Sequence, residues 1–335
     1  PGTMIQLRDD SGTGAAEREA DYILSITYPT ADVQTALKSI ASSHSGKPVV
    51  LMGDRGRGKS HIMALTHHAV KSPDTVEAWA HEWGSQLDIP LLKNLELVKD
   101  YYPISEPVQR HEYLFLWDLI FERHPKGEFY HGKFESTGRP YPPRSLMAEM
   151  FEAQPTVLIF DEFQKWFDGL SDEKGKTGVK YRTLAESFIQ NLAELSKDRP
   201  EILILIVSVL NNETEGFRQI HRNSPVMVDF RGPTARQDRQ NLVLHRLFDN
   251  RHTFSEDQIG AAVDAYAAER FRLRFPEQTD ADKAQRTGEV IATFPFSPEL
   301  LELLDNQILM AAAAQETRDL IQILAFVYKA RGEDV

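Results

Sequence analysis

The stretch Val49 to His61, VVLMGDRGRGKSH, constrains this chain more than any other. A short apolar run is followed by three glycines, a lysine and a serine, and then by the helical pattern HIMALTHHAV. Gly53-Asp54-Arg55-Gly56-Arg57-Gly58-Lys59-Ser60 fits G-x-x-x-x-G-K-[ST], a loop that passes from a buried strand into a helix. Glycines let successive backbone N–H groups curl around phosphates without a Cβ in the way. The helix N-terminus adds partial positive charge. On this reading the loop from Gly53 through Asp54, Arg55, Gly56, Arg57, Gly58, Lys59 and Ser60 to His61 cradles a nucleotide. Lys59 reaches the β- and γ-phosphates and the Ser60 hydroxyl ligates Mg²⁺, so ATP and Mg²⁺ are the expected cofactors.

A cradle alone hydrolyses nothing. TVLIFDEF supplies the second half: an apolar strand, Thr156 to Phe160, that ends in Asp161 and Glu162. Asp161 is placed to hold the metal, and Glu162 to take a proton from the attacking water. Further continuous apolar runs, at Ile202–Val209 and Pro225–Phe230, alternate with helical patterns. Such alternation predicts an α/β protein with a parallel sheet flanked by helices. One more strand is expected near Leu97. Gly127–Arg144 reads as an inserted loop, rich in Gly, Pro and aromatics. From about Phe254 the pattern is helical only, with helices at Glu256–Phe271, Pro298–Leu309 and Glu316–Lys329. The expected organisation is a mobile segment over 1–20, beginning with the tag-like PGTM, then a nucleotide-binding core over 21–250 and an all-helical lid over 251–335. The abrupt end suggests a piece of a longer protein.

Composition narrows the classes. The 335 residues include no cysteine, which rules out disulfides and thiolate zinc sites and suits a reducing cytoplasm. No apolar run approaches the roughly 18–20 residues that span a bilayer, so no membrane role is expected. The net charge of −12 argues against a broad nucleic-acid-binding face, so charge gives DNA no support as a partner. A local exception is the loop Ser171–Tyr181, where Lys174, Lys176 and Lys180 could meet a polymer; the simpler reading is a solvated loop balanced by Asp172 and Glu173. His67 and His68 lack metal-ligand spacing and are expected to be packing or surface residues.

The glycine loop, the later apolar strand ending in Asp-Glu, and the apolar strand after it resemble the AAA+ arrangement of P-loop ATPases. The base-reading motif of GTPases and the signature of ABC transporters are both missing. The resemblance implies a polar sensor at the end of ILILIVSVLNN, either Ser208 or Asn211. It implies an arginine finger at Arg222, with Arg218 as the alternate, acting on a neighbouring subunit of a homo-oligomer. It implies a second sensor, Arg318, on the lid. It also places the adenine near Tyr28 to Asp32. The segments DEFQKWFDGL, QIHRNSPVMVDFRGP, HRLFDNR and FPFSPELLELL…TRDLIQILA resemble, more closely, the N-terminal ATPase module of bacterial phage-defence proteins. These are the PglY and BrxC type of phage-growth-limitation and BREX systems, and the likeness runs from about Tyr22 to Arg331. It implies ATP hydrolysis, oligomerisation and antiviral work beside other defence proteins. The expected function is an ATPase that remodels or moves along a DNA-bound defence complex. The alternative is a nucleotide-gated switch or scaffold with little turnover.

Overall fold

Five short apolar strands set the sheet: β1 (Val49–Met52), β2 (Tyr102–Pro107), β3 (Thr156–Asp161), β4 (Leu203–Val209) and β5 (Val226–Val228). Every pairing is parallel, and the order across the sheet is β2-β3-β4-β1-β5. The computed structural model describes residues 5–331 apart from 10, 111–112, 175–177, 214, 233, 249–250, 256, 265–278 and 311–315, and only the backbone of a few others.

Strand periodicity shows that both faces of the sheet are covered. Val50, Ile104, Leu158, Phe160, Leu205 and Val207 share one core cluster with the helices Leu116–Arg123 (α6), Arg144–Ala153 (α8), Phe163–Asp168 (α9) and Tyr181–Asp198 (α10). The alternate residues Leu51, Val157, Ile159, Ile204 and Ile206 are equally buried, on the other face. That second face belongs to the helix Lys59–Lys71 (α3), which packs on β2 and β3. Strands buried on both sides must be apolar throughout, which is why they read as unbroken runs.

The chain divides into two units. The α/β unit comprises Ile5–Ser25 and Ala31–Gly232. The second unit groups Ile26–Thr30 with the described residues after Gly232. It is helical: α12 (Ala235–Leu247), α13 (Asp280–Thr293), α14 (Pro298–Met310) and α15 (Glu316–Arg331). Val243, Leu244, Phe296, Leu301, Leu320, Ile321 and Leu324 form its main core. Helix α12, read from sequence as part of the nucleotide-binding domain, therefore groups with the helices that follow it.

Four readings need correction. The extra strand is not at Leu97, which makes only an isolated antiparallel bridge to Ala41. It is YPISEP, β2, whose prolines sit on the sheet edge where missing donors are tolerated. The supposed inserted loop contains the helix α7 (Gly127–Ser136). Gly127 begins it against the Phe121 carbonyl, so closely that a Cβ would stand 1.8 Å from that oxygen. The N-terminal segment, read as mobile, is docked in its described residues. Leu7 is buried, Arg8 Nε donates to Ser105 O at 2.6 Å, and Ala15 O meets His68 Nε2 at 2.8 Å. The helix Asp280–Thr293 had not been anticipated. The helix read at Glu256–Phe271 lies partly outside the described residues. Among the described residues, no helix is long and apolar enough to cross a membrane.

Candidate functional site

The glycine loop leaves the end of β1 and becomes α3. Gly56 and Gly58 take positive φ, 84° and 100°, which side chains with a Cβ rarely adopt. Gly58 is the residue that turns the chain into the helix. Lys59 is buried and folds back on the loop, donating to Gly53 O at 2.6 Å and Asp54 O at 2.9 Å. Burial lowers its proton affinity, opposed by the charges of Asp161, Glu162 and Asp54. Asp54 and Arg55 are exposed. Arg57 is half-buried beside the Asp54 carboxylate, at 3.6 Å. Gly53 is buried, and a Cβ there would meet Arg57 Cδ at 3.0 Å. His61 is half-buried on the first turn of α3.

Strand register brings the remaining groups to this loop. Ile159 pairs with Ile206 and Phe160 with Val207, so Asp161 and Ser208 follow as neighbours on the α3 face. Leu51 of β1 pairs with Ser208 from the other side. The outcome is a closed hydrogen-bond cluster. Ser60 Oγ donates to Asp161 Oδ2 at 2.6 Å, and Ser208 Oγ donates to Asp161 Oδ1 at 2.6 Å. The Glu162 N–H reaches both Asp161 Oδ1, at 2.9 Å, and Ser208 Oγ, at 2.8 Å. Three elements that are far apart in sequence thus converge on one carboxylate. Asp161 is 4 % exposed, so its charge is matched by donors rather than by water.

Glu162 caps α9 in a left-handed conformation, with φ 55°. Its Oε2 lies 2.6 Å from Lys165 Nζ, which also donates to Gln109 Oε1 at 2.9 Å. Of the two sensor candidates, only Ser208 meets the carboxylate. Ser208 is buried and bonded to it, while Asn211 is exposed and its Oδ1 accepts from Glu213 N. Gln164, absent from the sequence reading, is buried and holds the chain after β4 by accepting from Leu210 N and Asn211 N. Lys165 and Gln109 were also missed. The (i, i+3) spacing of Glu162 and Lys165 was the available signal for one of them; nothing in the sequence marks Gln109.

Arg222 follows α11 (Glu215–His221), is exposed, and donates to Gln219 Oε1 at 3.0 Å on its own helix. Arg218 is exposed as well. Arg318 is in α15, and its side chain lies outside the described residues. Tyr28 meets the His245 ring within the helical unit, whereas Asp32 Oδ1 accepts from Phe230 N within the α/β unit. In the lysine loop, Lys180 and Arg182 face Asp172, each at 3.7 Å, and Lys176 lies outside the described residues. His67 and His68 are buried, bonded to Ser105 Oγ and Ala15 O.

Chemically, the cluster offers a hydroxyl and a carboxylate oxygen 2.6 Å apart at the mouth of a glycine loop. Hard oxygen donors in that number suit Mg²⁺, which keeps most of its shell for water and phosphate. Among the described residues, no group of three or more His, Cys, Asp or Glu could hold a metal by itself. Neither a scan of protein-family models nor a search of curated proteins returned a match to this chain.

Proposed function

We propose that the chain is an ATP-binding and ATP-hydrolysing module of AAA+ type, with the helical unit as its lid. The observation that carries the reading is the Ser60–Asp161–Ser208 cluster at the end of the glycine loop. In it a phosphate-loop serine and a strand-end aspartate lie within hydrogen-bond distance, although 101 residues separate them. A loop that merely turned a strand into a helix would have no need of that partner. Ser60 and Asp161 would hold the Mg²⁺, which when bound would neutralise developing charge on phosphate oxygens. The loop N–H groups and Lys59 orient the triphosphate, with Lys59 turning from the Gly53 and Asp54 carbonyls to the phosphates. Glu162 takes the proton from water. Ser208 holds Asp161 and the Glu162 backbone in place.

Strand β4 stands between the loop strand and the carboxylate strand, which supports the AAA+ reading because the sensor residue then sits between the two. The exposed position of Arg222, just before edge strand β5, supports a role in a neighbouring subunit's site. The motifs quoted above support a setting in phage defence, where the module remodels or moves along a DNA-bound complex.

The test is phosphate release from Mg·ATP across a range of protein concentrations, for wild type, Lys59→Ala and Arg222→Ala. The rate per chain rises with concentration for wild type. Lys59→Ala loses nucleotide binding, and Arg222→Ala binds ATP but loses the concentration-dependent rate. A wild type that binds ATP, assembles and hardly turns over points to the switch or scaffold instead. A wild type without ATP binding overturns both.

A further inference from the structure

Residues 5–17 contribute no group to the site, yet they are fastened to the elements that build it. The described residues of this segment double back on themselves: Ala15 N donates to Gln6 O at 2.8 Å and Ala16 N to Leu7 O at 2.9 Å. Asp9 organises the turn between them. Its carboxylate accepts from the backbone N–H groups of Ser11 and Thr13 and from both hydroxyls. Gly14 lets the two limbs meet, since a Cβ there would stand 2.4 Å from Arg8 Cα. Three attachments tie this strap to the rest of the α/β unit. Leu7 is buried, Arg8 Nε donates to Ser105 O at 2.6 Å, and His68 Nε2 donates to Ala15 O at 2.8 Å. The tip, Ser11 to Thr13, is exposed. A segment held by so few anchors opens more readily than the sheet beneath it.

The anchor points join two elements. His68 lies on α3, and beside it His67 Nδ1 is 2.9 Å from Ser105 Oγ on β2. Arg8 takes the carbonyl of that same Ser105 and also stands 3.6 Å from Glu106 on β2. The strap therefore bolts α3 to β2. Helix α3 carries Ser60 in its first turn, about two turns before His67. Strand β2 pairs with β3 in register, Ser105 against Ile159 and Pro107 against Asp161. The bolted elements are thus the helix that carries Ser60 and the strand pair that carries Asp161, whose side chains meet at 2.6 Å.

We infer that residues 5–17 are a regulatory strap. Docked, it holds α3 on β2 with Ser60 and Asp161 in place for Mg·ATP; released, it lowers the affinity of the site. The inference rests on the reading of Ser60 and Asp161 as the pair that holds Mg²⁺. A helix and a strand pair braced by the strap as well as by their own contacts have little freedom left to lose. Without the brace they keep freedom that the nucleotide must remove on binding, and binding is weaker by that cost. The coupling runs both ways: bound Mg·ATP keeps the strap docked by the same factor.

The experiment follows two quantities in the full chain: the Kd of Mg·ATP, and amide hydrogen exchange over residues 5–17 with and without saturating Mg·ATP. Gly14→Ala drives a Cβ into the Arg8 backbone and opens the strap. Arg8→Met keeps the apolar stem and removes the guanidinium. Ser11→Ala, which loses one hydroxyl on the exposed tip, is the control. Exchange over 5–17 quickens in Gly14→Ala and in Arg8→Met, while exchange in β1, β3 and β4 stays slow. The Kd of both rises about fivefold or more, and Ser11→Ala stays near wild type. In wild type, Mg·ATP slows exchange over 5–17 by a similar factor, which a segment with a merely structural role would not show. An unchanged Kd in a variant whose strap exchanges fast overturns the coupling and leaves the ATPase reading standing. So does wild-type exchange over 5–17 that Mg·ATP fails to slow. A wild type that does not bind Mg·ATP overturns the nucleotide reading, and the role of the strap with it.

Discussion

Ser208 illustrates how much of this site one hydroxyl organises. It donates to Asp161 and accepts from the Glu162 N–H, so it fixes both carboxylate residues at once. Removing it with Ser208→Ala leaves buried Asp161 one donor short. The expected cost is about 1–3 kcal/mol of stability, read as a fall in urea midpoint at unchanged m-value, together with a lower turnover of ATP. Asn211→Ala, which affects only an exposed turn, changes neither. Lys59 predicts an opposite pattern. Burial outweighs the attraction of Asp161, Glu162 and Asp54 for its charge. Lys59→Met therefore keeps or raises the thermal midpoint of the nucleotide-free protein while it abolishes ATP binding. A midpoint several degrees lower would show that the bonds to the Gly53 and Asp54 carbonyls outweigh desolvation.

Strand parity places Ile204, Ile206 and Ser208 on one face, so Ser208 meets the carboxylate, although the sequence alone left Ser208 and Asn211 both open. Asn211 lies beyond the strand, where parity no longer applies. That the glycine loop and the end of β3 meet was legible, because both stretches follow a recognisable pattern of residue types and spacing, and Ser60 and Asp161 are hydrogen-bonded. Gln109 and Gln164 were not, because they act through tertiary contacts that no spacing rule marks, whereas Lys165 carried only the common (i, i+3) spacing to Glu162.

Among the elements, α3 gives the clearest pH dependence. Burial first, then the neighbouring His68 ring and the cations Arg8 and Lys71, push His67 from 6.5 down to about 3. Burial lowers His68, His124 and His44 as well. These rings stay neutral in the fold but take up protons once unfolded. For His67 the stability so supported is present above about pH 6.5 and is lost as pH falls from there toward 3, and the other rings act in the same direction. For His67 alone the loss is about 1.4 kcal/mol per pH unit. His67→Gln, which can still bond Ser105, shrinks the difference in unfolding free energy between pH 7 and pH 5 by about 2 kcal/mol. An unchanged difference would mean that His67 takes up a proton in the fold.

Helix α13 shows the same logic at a helix end. Arg251 donates to Ile291 O, Ala292 O and Phe294 O, carbonyls at the end of α13 that have no partner within the helix. Arg251→Ala is expected to cost the helical unit about 2 kcal/mol, seen as faster amide exchange over residues 280–293. The start of α13 carried a readable sign, the Thr279–Asp282 capping box. It escaped notice because the apolar spacing behind it is sparse. Strand β2 escaped because its two prolines argue against a strand, and only its edge position reconciles them with pairing.

For the whole molecule, the α/β class was legible from apolar runs that alternate with helices. The division into units was less so, since α12 carries no mark of which core it joins; Val243 and Leu244 settle it by packing with Leu301, Leu320 and Leu324. The docking of the described residues of 5–20 was illegible, because its buried apolar residues, Leu7, Ala15, Ala16 and Ala20, are mostly small and scattered among polar ones. On the proposed reading, Glu162 acts on a bound Mg·ATP. The most direct measurement is phosphate release from saturating Mg·ATP by wild type and Glu162→Gln, with retention of labelled ATP followed in parallel. Glu162→Gln is expected to retain ATP while its turnover falls by about 10²-fold or more. Equal turnover by the two proteins, or a wild type that does not bind ATP, would contradict it.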